Sequence, residues 1–433
     1  MMKKFKVSVL AIVILMSAPS HAQNLNEIYQ QVLQSDPRLL IDSLGVEVGV
    51  AREQQALGAL LPQLSVNSSW TENNRVAEGS STDSYAGERY TLSVRQSLLN
   101  LPKYYGWKKA EDIATQFEYQ RENTHSNVKL DTIERYFQLL NARDELILVR
   151  EEKNSTQKKA EQTRSLYEKQ LVKITELYEV EARVDLLSSE EIDALQVLDL
   201  AKEGLSELTN NPVDDISSLI ASTDFIQRVE NIDEWIISAT QTNASLRVLQ
   251  KEIDAAQINI KQQKSAHYPV LELQLSKQKS NIGFENSLSS STTTGVASLN
   301  FSMPIYSGGQ TSGRIYEASQ QLALSQAKYE QEHRKVIKQL RDMFLGVNAM
   351  VRRIEAANKS IKSAQKSYQA MNKSFQLGIA VVSDVLDAQQ VYSQAKQNHQ
   401  QAKYDYIIHK ARLLQISGKL DNDVFYEICK WLI

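Results

Sequence analysis

The sequence predicts an α+β membrane protein, internally duplicated, in which four strands per chain contribute to a trimeric twelve-stranded β-barrel. A long α-helical coiled-coil tunnel continues that barrel. Three observations point there: an export signal at the N-terminus, a duplication with a very long period, and a strand count that one chain cannot close by itself.

Lys3, Lys4 and Lys6 precede an apolar run from Val7 to Met16, and the small-X-small triplet Ser20-His21-Ala22 follows Pro19. This is the pattern of a secretory signal peptide spanning residues 1–22. The apolar run is well short of the ~20 residues that a spanning helix needs. No later segment holds 18 consecutive apolar residues, so no transmembrane helix is expected. Cys429 is the one cysteine of the 433 residues, so an exported chain must gain its stability from packing or oligomerisation instead of disulfides. A net charge of −3 without a basic stripe gives no reason to expect a nucleic-acid partner.

Self-comparison aligns Leu61-Pro62-Gln63-Leu64 with Tyr268-Pro269-Val270-Leu271, 207 residues later. The same offset places Glu27 on Glu234, Leu39 on Leu246 and Phe137 on Phe344. It becomes 208 further on, where Tyr167 falls on Phe375 and Glu176 on Asp384. The period is far longer than a solenoid repeat, so one structural unit is built twice. The first repeat is expected over 23–213, an equatorial linker over 214–231, the second repeat over 232–420, and a C-terminal equatorial tail over 421–433.

Each copy opens with an amphipathic helix, from Leu25 to about Leu60 and from Ile232 to about Ala266. Two strands follow, about 62–78 and 88–101 in the first copy, about 269–281 and 294–306 in the second. Leu64, Val66 and Trp70 alternate with Gln63, Ser65 and Asn67, and Leu299, Phe301 and Met303 with Ser298, Asn300 and Ser302. Period-2 alternation means one apolar and one polar face, which a half-buried soluble sheet would share. The long polar loops and the export signal fit outer-membrane strands. An open edge is not tolerated in hydrocarbon and four strands cannot close a barrel, so membrane strands require a trimer.

Long helical hairpins complete the copies, over 103–209 and 310–417. No glycine or proline occurs from Trp107 to Glu203, and only Gly346 and Gly378 interrupt Arg314 to Ser417. Leu340, Phe344, Val347, Val351, Ile354, Ile361 and Tyr368 keep 3-4 spacing with Asn358 and Gln365 at intervening positions of the stripe, while the first copy keeps Leu130, Ile133, Phe137, Leu140 and Ile147. This is coiled-coil packing, and a helix of ~65 residues is about 100 Å long. Gly378 suits the left-handed residue that ends a helix, and Ser383 or Thr175 the N-cap of the next.

The repeated order of helix, strand pair and helical hairpin resembles the TolC family of outer-membrane efflux proteins. The carriers are the two proline entries above, Pro304-Ile305-Tyr306-Ser307-Gly308-Gly309 leaving the last strand, and Phe375-X-X-Gly378-Ile379 followed by Ser383-Asp384-Val385-Leu386-Asp387. The resemblance covers residues 24 to 420. It implies an outer-membrane exit duct with a large periplasmic portion, serving tripartite efflux or type I secretion as a passive channel. It also implies a homotrimer in outer-membrane lipid, a periplasmic adaptor (membrane fusion) protein, and an inner-membrane RND or ABC pump. By motif match, Asp384 and Asp387 are the gate and selectivity aspartates, and Thr175 and Glu176 the acceptor side of closure. Leu171, Val172, Gly378 and Ile379 match the hairpin-tip surface that adaptors grip. Ala380 stands where a basic latch residue is usual. Ordinary helix starts also carry acidic residues, and that plainer reading of Asp384 and Asp387 stands beside the gate. The alternative function is a soluble periplasmic coiled-coil adaptor or structural protein. An enzyme is not expected, nor any cofactor or metal, because no nucleophile elbow, phosphate loop or metal-ligand spacing occurs.

Overall fold

The computed structural model describes residues 23–76, 83–222, 226–282 and 288–432, so the signal-peptide segment lies outside the described residues. The first copy comprises α1 (Leu25–Ser35), α2 (Pro37–Gly58), β1 (Gln63–Arg75), β2 (Asp83–Leu99), α3 (Leu101–Glu168) and α4 (Ile174–Thr209). The second comprises α5 (Ile232–Thr242), α6 (Ala244–Lys264), β3 (Val270–Ile282), β4 (Leu288–Ser302), α7 (Gln310–Gln376) and α8 (Val382–Ile416), with α9 (Asn422–Cys429) behind it. A shift of 207 residues carries α1 onto α5 and β1 onto β3 at both ends.

The opening helix of each copy is two helices where the sequence suggests one. Asp36 separates α1 from α2, and Asn243, its equivalent, separates α5 from α6. Pro37 cannot donate a helical hydrogen bond and drives Asp36 to an extended φ of −71° and ψ of 115°. The Asp36 carboxylate then accepts the Arg38 N–H at 2.8 Å. Asn243 does the same without a proline, its side-chain oxygen accepting from the Ser245 and Leu246 N–H groups at 3.0 and 3.3 Å.

The four strands form one antiparallel sheet in the order β1-β2-β3-β4. Leu64 stands opposite Val94, Val94 opposite Leu275, and Leu275 opposite Ala297, giving a continuous apolar row. A bulge between Ser97 and Leu99 sets Leu99 opposite Leu271, which returns an apolar residue to this face after Gln96. Leu64, Val66, Trp70, Leu299 and Phe301 are exposed on this face. The other face is polar: the Ser65 and Ser93 hydroxyls bond at 2.7 Å, and Arg95 meets Glu272 at 3.5 Å.

In the main core, Leu25 and Ile28 of α1 meet Tyr136, Phe137 and Leu140 of α3, Leu205 of α4 and Leu340 of α7. Tyr404 and Tyr406 of α8 and Phe425 of α9 complete it. The linker and the tail are stitched together there, the Ile220 N–H donating to the Trp431 carbonyl at 2.8 Å. Along α7 the buried stripe runs Leu340, Val347, Val351, Ile354 and Ala364. Asn358 and Gln365 do not sit in it; both are exposed, because the stripe passes beside them through Ile361 and Ala364. On α3, Ile147 is also 46 % exposed.

Candidate functional site at the hairpin tips

Each hairpin turns back through a Schellman end. The Gly378 N–H donates to the Phe375 carbonyl at 3.0 Å and the Ile379 N–H to the Ser374 carbonyl at 2.9 Å. At the first tip the Gln170 N–H donates to Tyr167 at 2.8 Å and the Leu171 N–H to Leu166 at 2.9 Å. Gly378 is left-handed, φ +74°, as its position in the sequence suggests. The following helices start earlier than Ser383 or Thr175 implied: Lys173 and Val381 hold the cap positions, neither with a side-chain cap bond. Ser383 and Thr175 lie in the first turns instead. The α8 cap is supported from within, the Val381 N–H donating to the Asp384 carboxylate at 3.4 Å. This is half of a capping box.

A small apolar cluster draws the two tips together. Val180 of α4, Val382 and Leu386 of α8 are buried against one another, with Ala160 and Phe375 packed on them. Polar ties flank it. Lys159 of α3 donates to the Asn372 side-chain oxygen of α7 at 2.7 Å, and its ammonium lies 4.9 Å from the Phe375 ring centroid. Burial holds that ammonium below the ordinary lysine range. Gln389 of α8 donates to Thr156 Oγ1 at 3.0 Å and to the Glu152 carbonyl at 3.3 Å. Arg183 of α4 pairs with the Glu152 carboxylate at 2.8 Å.

Asp384 and Asp387 lie one turn apart on the first two turns of α8, both exposed. Thr175 is exposed and Glu176 half-buried in the first turn of α4. Among the described residues no hydrogen bond or ion pair joins Thr175 or Glu176 to either aspartate. Leu171 and Ile379 stand out from the tips, 66 % and 77 % exposed, while Val172 is half-buried and Gly378 exposed. Sequence reasoning missed Lys159, Asn372, Thr156 and Gln389. The legible signal was Thr156, Lys159 and Thr163, buried at helical spacing where the apolar stripe of α3 gives out.

Among the described residues no cluster of His, Cys, Asp and Glu could hold a metal ion, and no helix is long and apolar enough to cross a membrane. The sequence profile described as "Outer membrane efflux protein" matches residues 28–211 and 235–419. The outer membrane protein TolC of Escherichia coli is 27% identical over 420 residues, covering 94% of this chain and 84% of that one. The alkaline protease secretion protein AprF of Pseudomonas aeruginosa is 27% identical over 428 residues, covering 95% and 88%. In fold, the chain is similar to the CmeC outer membrane channel of Campylobacter jejuni, with a TM-score of 0.82 at 16% identity over 95% of this chain and 90% of that one. A profile that takes in both structural copies, with the gap between its matches falling between α4 and α5, places the chain in the outer membrane efflux protein family.

Proposed function

We propose that the protein is the outer-membrane exit duct of a tripartite efflux or type I secretion system. It works as a homotrimer whose chains share one twelve-stranded barrel and one helical tunnel. The observation that carries this reading is the sheet. It has two open edges, β1 and β4, and an apolar face whose large side chains are exposed. An open edge and an uncovered apolar face are both satisfied when three copies close a barrel in lipid. The same face argues against a soluble adaptor, which would leave it in water.

In this reading the tips are the working end. Asp384 and Asp387 from three chains form two stacked anionic rings at the tunnel mouth, with Thr175 and Glu176 on the neighbouring helix start. Leu171, Val172, Gly378 and Ile379 form the surface that a periplasmic adaptor grips, and an inner-membrane RND or ABC pump supplies the cargo. With Ala380 in place of a basic residue, the ties around Lys159 and Gln389 hold the two hairpins of one chain together.

The test is native mass spectrometry of the detergent-solubilised protein together with planar-bilayer recording. A mass three times that of one chain and discrete channel conductance support the duct. A monodisperse monomer with ordered strands would rule it out.

A further inference from the structure

The apolar face of the sheet is interrupted at one height. Lys277 and Lys279 of β3 share the face of Leu271, Leu273 and Leu275, since strand side chains alternate. Lys277 stands opposite Leu92 and Gly295, Lys279 opposite Tyr90 and Thr293. Both are exposed, and among the described residues neither has a hydrogen-bond or ion-pair partner. Beside them the Trp70 indole donates to the Tyr90 hydroxyl at 3.0 Å, with the two rings edge to face at 5.8 Å. An aromatic pair at this height is what a membrane–water boundary selects.

The spacing supports that boundary. Met303, 51 % exposed, follows Leu299 and Phe301 at the helix-ward end of the face. Ten residues separate Met303 from Thr293, the partner of Lys279, and eight separate it from Gly295, the partner of Lys277. At ~3.4 Å per residue and a tilt of ~40°, those steps cover roughly 26 Å and roughly 21 Å along the membrane normal. An outward apolar band of a barrel is about 25 Å tall, so the two lysines bracket its loop-ward edge. A charged amine inside hydrocarbon is strongly unfavourable, and one that reaches the boundary is not. The acidic groups of this face lie further out. Glu88, which accepts from the Tyr90 hydroxyl at 3.4 Å, is opposite Trp70, and Glu72 is two pairs beyond it.

We propose that Lys277 and Lys279 grip phosphate groups of anionic lipid headgroups on the loop-ward side of the membrane, as a belt of six ammoniums around the trimer. This rests on the sheet standing in lipid. The lysines reach the headgroup layer from its hydrocarbon side, with Trp70 and Tyr90 fixing their depth. A headgroup phosphate is the occupant that suits them, because the surface beneath them is apolar and continuous with the acyl chains of the same lipid.

The experiment compares the full-length trimer with K277Q/K279Q and the charge-preserving K277R/K279R. Each is titrated with a diphosphorylated glycolipid and with its dephosphorylated counterpart, and retained lipid is read by native mass spectrometry. The expected result is retention of the phosphorylated lipid lower in K277Q/K279Q by on the order of tenfold, kept in K277R/K279R, with no difference for the dephosphorylated lipid. Excess inorganic phosphate should leave retention unchanged; if it competes, the site takes a free anion and the headgroup proposal is overturned. Equal retention by wild type and K277Q/K279Q, with both still forming channels in bilayers, overturns the lysine belt and leaves the duct standing. Failure of the wild type to insert into bilayers removes both.

Discussion

Gln170 and Gly378 occupy the same station in the two hairpins, the left-handed residue of a Schellman end, at φ of +60° and +74°. A residue with a Cβ in this region costs ~1–2 kcal/mol relative to glycine. Gln170→Gly should therefore stabilise the first tip by about 1 kcal/mol, and Gly378→Ala should loosen the second by a similar amount. Amide hydrogen exchange at Leu171 and Ile379 reads each tip separately. No change in protection at Leu171 in Gln170→Gly would show that the strain is relieved elsewhere.

Replacing both Asp384 and Asp387 by asparagine should keep the fold, because first-turn carboxylates contribute only ~0.3–1 kcal/mol each. Part of that loss falls on the α8 cap that Asp384 supports through the Val381 N–H. The double variant should lose cation selectivity and resist block by a trivalent cation added on the tip side in single-channel recordings. Equal block of wild type and variant would reduce these aspartates to helix-start residues, with Glu176 the next candidate.

Leu171→Glu and Ile379→Glu change two exposed side chains, so trimer assembly should be unaffected. Crosslinking to the adaptor and export in cells should both fall. Unchanged export with both substitutions present would remove the tips from the docking surface.

Lys159 gives the tips a pH dependence with a definite sign. Burial lowers its folded value from the ordinary 10.5, so the unfolded chain binds the proton more readily in the window between the two. Stability then rises with pH across that window, by less than about 1.4 kcal/mol per pH unit. Exchange protection of the α3 and α7 ends should increase as the pH approaches 10.5 from below in wild type and stay flat in Lys159→Met. A rise that persists in Lys159→Met would assign it to another group.

Gly346 is the glycine inside α7 that the sequence marks as an interruption, and the packing explains it. A Cβ there would come within 2.6 Å of the His409 ring, which is itself held by a 2.7 Å contact between Nδ1 and the Asp405 carbonyl. Gly346→Ala should cost ~1–3 kcal/mol through overpacking, seen as a lower denaturant midpoint for the helical signal. An unchanged midpoint would mean that the His409 ring moves freely.

The parts of the fold written in local pattern were legible. Alternation along β1 and β4 gave the strands, the absence of Gly and Pro from Trp107 to Glu203 gave the rod, and Gly378 gave its turn. The break at Asp36 was also written locally, in Ser35-Asp36-Pro37, but the apolar periodicity runs across it and masked it. Asn243 repeats that break with no proline to announce it. At the tips the limit was different. Lys159 and Asn372 are 213 residues apart and Gln389 and Thr156 are 233 apart, so nothing near any of them in the chain names its partner. Asn358 and Gln365 were misplaced because a seven-residue count, extended past Ile354, drifts off the buried face of a nearly straight helix.

The pairing of β2 with β3 joins strands separated by the 170 residues from Asn100 to Pro269. The β1-β2 and β3-β4 hairpins are local and can form as soon as their own residues are available. The central pairing must wait until the α3–α4 hairpin and the chain through α6 have emerged and folded back. Closing so long a loop is entropically unfavourable and is repaid only by late contacts, which makes it the slow step in forming the sheet. Until then each chain carries two separate hairpins with four free edges, each able to pair with the wrong strand. A factor that shields strand edges in transit should therefore speed maturation of this chain more through the β2-β3 junction than through either hairpin.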